Sequence, residues 1–125
     1  MVSIEEMEQM LDELAAELPQ EFYKELNGGI ILLPEAKFHE KSQSEDLYIM
    51  GEYYRGGNMG RYIAIYYGSF MGVYGNLSKE QLRAQLNHTL KHEFRHHLES
   101  LGGERDLEVV DEVTIAKYLY GKNGN

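Results

Sequence analysis

The chain has 125 residues, no cysteine and a formal net charge of −9, which fits a single domain over 1–125 with a core of its own but leaves no room for a second lobe. Lack of cysteine excludes disulfides, thiolate metal sites and cysteine nucleophiles, and suits a cytoplasmic protein. The negative charge argues against nucleic acid as a partner, no apolar run approaches the ~18 residues of a membrane span, and the acidic start Met1-Val2-Ser3-Ile4-Glu5-Glu6 does not read as a targeting segment.

Ser3-Ile4-Glu5-Glu6 forms a capping box, with Val2 and Met7 placed to staple it. Met7, Met10, Leu11, Leu14 and Leu18 recur at helical spacing, which predicts a helix from about 4 to 17, stopped near Pro19. Residues 20–26 suit a second short helix, ended by Asn27-Gly28-Gly29. Ile30 to Leu33 is a short apolar run closed by Pro34 and reads as a buried strand. Residues 37–46 are polar and aperiodic, which predicts a loop. Segments 47–54 and 61–67 are rich in β-formers and flank a Gly-rich turn, so they should pair as an antiparallel hairpin. The tyrosines among them suit a half-buried sheet face. Residues 68–76 are Gly-rich and read as an irregular edge. Ser78 and Gln81 form a second capping box opening a long helix that should run to about Leu101 and stop at Gly102-Gly103. Residues 111–120 suit a last short helix.

The long helix carries His92-Glu93-Phe94-Arg95-His96-His97, an H-E-x-x-H sequence. Histidines four apart share a helix face and can reach one metal ion, while the glutamate beside the first can hold a proton next to a metal-activated water. With Leu82 at zero and ~100° per residue, Leu86, Leu90, Phe94, Leu98 and Leu101 fall between about 40° and about 160°. His92 and His96 fall at about 280° and about 320°, away from that stripe, and Glu93 at about 20°, between the two. His97, at about 60°, should be a packed core histidine. His88 sits on the rim, and His39 has no partner in the pattern.

A catalytic zinc takes three protein ligands and a water. Downstream acids supply the third. Asp106, after the Gly102-Gly103 break, is preferred, then Glu104 in the same turn. Glu99 lies on the same helix at about 260°, where three ligands would crowd one face.

Leu11-Asp12-Glu13-Leu14 through Leu18-Pro19-Gln20-Glu21-Phe22, Asn27-Gly28-Gly29-Ile30-Ile31-Leu32 and Leu90-Lys91-His92-Glu93-Phe94-Arg95-His96-His97 together resemble the small zincin-like bacterial metallopeptidases, the minimal zincins. The family pattern continues with a glycine three residues after the second motif histidine and an aspartate three beyond that. Here the first of these positions is Glu99, and Gly103-Glu104-Arg105-Asp106 restores the spacing about one helical turn later. The resemblance implies an α+β, zincin-like fold. Its parts are an N-terminal helix, a small twisted sheet of about 3–4 strands, a long active-site helix and a short C-terminal helix.

The expected function is peptide hydrolysis. Zn²⁺ is held by His92, His96 and Asp106, Glu93 is the general base, a hairpin tyrosine could supply an oxyanion donor, and a peptide or protein is the substrate. The rival expectation is a catalytically inactive zincin-like module that binds or regulates a protein. A closed structural zinc site is disfavoured without cysteine.

Overall fold

The structure, a computed structural model, describes residues 1–42 and 47–103. Helix α1 (Ile4–Ala16) starts where the sequence says it should. The Ser3 hydroxyl accepts from the Glu6 amide at 3.1 Å, and Glu6 Oε1 accepts from the Ser3 amide at 2.9 Å. Its apolar stripe, Met7, Met10, Leu11 and Leu14, is buried. Residues 20–26 give only a short 3₁₀ turn, Gln20–Tyr23, which sinks Phe22 into the core.

Strands β1 (Gly29–Leu33), β4 (Gly51–Tyr54) and β5 (Tyr62–Tyr66) make one sheet in the order β1-β5-β4. The β4–β5 hairpin is antiparallel, as expected, with Gly51 opposite Ile65 and Tyr54 opposite Tyr62. β1 pairs parallel with β5, Gly29 opposite Tyr62 through Leu33 opposite Tyr66. The central strand is therefore β5, whose Ile63, Ala64, Ile65 and Tyr66 are all buried. β1, expected to be buried, is half-buried, and among the described residues it is an edge strand paired on one side by β5.

The expected loop over 37–46 begins with a strand, β2 (Lys37–Phe38), which pairs antiparallel with β3 (Tyr48–Ile49) in a second small sheet. The 47–54 segment is thus two strands, broken at Met50, whose carbonyl accepts from the Tyr66 amide at 3.0 Å. Residues 68–76 are not an irregular edge: helix α2 spans Tyr67–Tyr74. Its glycines serve close packing. A Cβ at Gly68 would lie 2.4 Å from the Ala36 backbone nitrogen, and one at Gly72 would lie 2.5 Å from the Tyr48 ring.

Helix α3 (Lys79–Gly103) is the spine of the domain. Ser78 and Gln81 exchange backbone-to-side-chain hydrogen bonds at 3.1 Å, closing the predicted box. Leu82, Leu86, Leu90, Phe94, Leu98 and Leu101 are buried against α1, the sheet and Phe22. Burying each of these side chains contributes about 2 kcal/mol. α3 continues through Gly103 instead of stopping before the glycine pair. The expected helix over 111–120 lies outside the described residues. Among the described residues the architecture is α+β, and no helix is long and apolar enough to cross a membrane.

Candidate metal centre

The leucine stripe fixes the rotation of α3 and so decides where each polar residue of the motif goes. His92 and His96 emerge on the exposed side. Their Nε2 atoms stand 3.2 Å apart, with the rings edge to face. Two Nε2 atoms on one tetrahedral zinc, at the usual Zn–N length, are separated by about 3.3 Å. The pair is therefore already spaced to share an ion. Burial chiefly, then the neighbouring His96, His88 and Arg95, lower the His92 pKa, a shift toward the neutral imidazole that a metal ligand needs. Glu99 lies behind His96, its Oε1 4.0 Å from Nδ1, while its Oε2 accepts from Arg95 Nε at 3.1 Å. Glu99 thus faces the ring nitrogen opposite to the one that meets His92. It suits orienting His96 rather than supplying the third ligand.

Glu93 points inward and is only 6 % exposed. Burial first, and the nearby Glu52 charge second, push its carboxyl up to about 7. Glu52 itself is held below the usual range. Its burial opposes this, but hydrogen bonds from Lys37 Nζ at 2.5 Å, from Tyr54 and from Tyr66 at 2.8 Å outweigh it.

β4 runs alongside α3 in the same direction. A Cβ on Gly51 would lie 3.0 Å from Thr89 Cγ2, Tyr53 meets His97, and Arg55, just past β4, donates to Ser100 Oγ at 3.2 Å. Strand and helix enclose an open cleft of about 640 Å³ lined by Gly51, Glu52, Tyr53, Arg55, His92, Glu93, His96, Glu99 and Ser100. Gly51 matters here because any side chain would wedge the strand away from the helix. Among the described residues, the outer edge of β4 has no strand partner.

His97 is a core residue, 0 % exposed. The Lys24 carbonyl can only accept, so His97 Nε2–H donates to it at 2.8 Å. Nδ1 is left as an acceptor, and the Tyr53 hydroxyl donates to it at 2.9 Å. Tyr54 and Tyr66 donate to Glu52. The protons of these three hydroxyls are committed, which counts against each as an oxyanion donor.

No protein-family profile and no curated protein sequence matches the chain. Among solved structures, a conserved hypothetical protein from Thermus thermophilus is 34 % identical, with a TM-score of 0.72 over 82 % of this chain and 99 % of that one. The chain belongs to that protein's family. The family thus shares the described fold over nearly the whole length of that relative.

Of the predicted site residues, His92, Glu93 and His96 come together on one stretch of α3, and His97 takes the core position expected of it. His88 is exposed on the rim, and His39 Nδ1 accepts from the Lys41 amide at 3.0 Å, away from the site. Asp106 and Glu104 lie outside the described residues. Among the described residues, no group of three His, Asp or Glu side chains is gathered for a metal. Sequence reasoning missed Glu52, Arg55 and Ser100. Nothing in the linear pattern says which edge of the hairpin lies beside the motif.

Proposed function

We propose that the protein is a zinc-dependent peptidase of the minimal zincin kind, acting in the cytoplasm on peptides or unfolded segments. The observation that carries this reading is the converging His92 and His96 nitrogens beside a buried glutamate, along the open edge of β4. Zinc, when bound, would acidify a water toward ~7 and polarise the scissile carbonyl. His92 and His96 would hold it through Nε2, with Glu99 orienting His96. Asp106 is the proposed third ligand.

Glu93 takes the proton of the attacking water and returns it to the leaving amine. Its buried position beside His92 places it to do both. The free edge of β4 offers backbone hydrogen bonds to an extended peptide. Elemental analysis should find one zinc per chain, and Glu93→Gln should keep that zinc while losing cleavage of a peptide library.

A second reading, a metal-bearing module that binds a protein without cutting it, draws support from one feature. α3 extends to Gly103, about two helical turns past His96. Stoichiometric zinc with no cleavage of any library peptide would favour this reading.

A further inference from the structure

We propose that Arg55 selects peptides carrying a carboxylate side chain about two residues amino-terminal to the bond at the metal centre. This rests on the reading of the cleft as a peptide site and deepens it. The charges of the cleft wall carry the argument. Glu52 is neutralised by Lys37 at 2.5 Å, and Glu99 by Arg95 at 3.1 Å. Arg55 is exposed and donates only to the neutral Ser100 hydroxyl, and among the described residues it pairs with no carboxylate. Among the described side chains of the cleft it is the cation without a carboxylate partner, and its guanidinium fork suits a carboxylate.

Its position follows from the parallel course of β4 and α3. Ser100 lies one helical turn beyond His96, about 6 Å along the axis. An extended peptide advances about 3.3 Å per residue, so Arg55 faces a side chain about two residues from the bond held at His92 and His96. Antiparallel pairing is the more stable arrangement on a strand edge, and it puts the amino-terminal part of the peptide at the Arg55 end. The chain's charge of −9 repels acidic peptides at long range. That repulsion is screened within about 8 Å at physiological salt, which leaves the local cation to decide.

The test uses fluorescein-labelled Ala/Ser octapeptides carrying Glu, Gln or Lys at one position, moved along the peptide in turn. Binding is measured by anisotropy to the Glu93→Gln protein in the presence of zinc, and cleavage positions are mapped by mass spectrometry with the wild type. The Glu peptide should bind about fivefold tighter than its Gln counterpart at one position, a factor fitting an exposed ion pair. Cleavage should fall about two residues carboxyl-terminal to it. Arg55→Ala on the Glu93→Gln background should bring the ratio to one, and Arg55→Glu should favour Lys. A circular-dichroism melt confirms that each variant is folded. An unchanged ratio in Arg55→Ala, or an acidic preference on the other side of the cut, overturns the proposal. Arg55-dependent binding without any cleavage sinks the peptidase reading alone. Cleavage with a Glu/Gln ratio of one sinks the Arg55 assignment alone, and neither binding nor cleavage sinks both.

Discussion

Replacing Glu93 with Gln should make the metal-free protein more stable and the metal-loaded protein inert. The side chain is almost fully buried, and its carboxyl titrates at about 7 instead of 4.5 because burial disfavours the charge and Glu52 adds to the penalty. Below pH 4.5 the group is protonated whether the chain is folded or not, and the stability linked to its raised pKa is fully present. As pH rises through 7 the folded protein must ionise a buried carboxyl, and that stability is lost. Between 4.5 and about 7, at about 1.4 kcal/mol per pH unit, the loss is about 3 kcal/mol. The substituted amide has the same shape as the carboxyl and nothing to ionise. In chelator, melts from pH 4 to pH 9 should therefore show the two proteins converging in acid and separating by about 10 °C above pH 8. With zinc added, the cation favours the carboxylate and the gap should narrow. In the loaded protein, losing the proton acceptor should lower kcat about 10²–10⁴-fold. Parallel pH profiles for the two chelated proteins would refute the burial argument, and equal turnover would refute the role of Glu93.

His92→Ala should leave the melting temperature of the chelated protein within a few degrees, since the residue is on the exposed side of α3, and should drop zinc content from one per chain to none by elemental analysis. His97→Ala should destabilise by about 3 kcal/mol in urea titrations, because it opens a cavity and strands the Lys24 carbonyl and the Tyr53 hydroxyl. Gly51→Ala puts a methyl 3.0 Å from Thr89 and 3.2 Å from the Ala64 carbonyl. It should cost about 1–2 kcal/mol of stability and lower kcat/KM by displacing the strand that walls the cleft. Gly68→Ala drives a methyl to 2.4 Å from the Ala36 backbone. It should cost more than Gly51→Ala in the same urea titration, and a smaller loss would show that α2 can slide.

The parts of the fold readable in the sequence are those set by local chemistry. Both capping boxes, at Ser3 and at Ser78, place helix starts to within a residue. The leucine stripe of α3 correctly separates the exposed His88, His92 and His96 from the buried His97. What was illegible was set by distant partners. Gly68 and Gly72 look like helix breakers, yet they let α2 pack on the Glu35–Ala36 backbone and on Tyr48. β2 and β3 are two residues each, too short for any alternation to register. The histidine pair and its glutamate could be read because helix periodicity alone assembles them. Glu52, Arg55 and Ser100 could not, because they meet only once β4 lies alongside α3.

The packing of α1 on α3 has a bearing on how the chain is made. A 13-residue helix is marginal in water without a surface to cover, and the surface that α1 covers is completed only when Leu82 to Leu98 exist. During synthesis Met7, Met10, Leu11 and Leu14 must stay exposed until α3 has been made. β1 likewise waits for β5 to pair. Folding is thus deferred until α3 has been synthesised. The emerging chain is open to aggregation and to chaperone capture over that whole interval, and truncations ahead of Leu98 should give insoluble or rapidly degraded product.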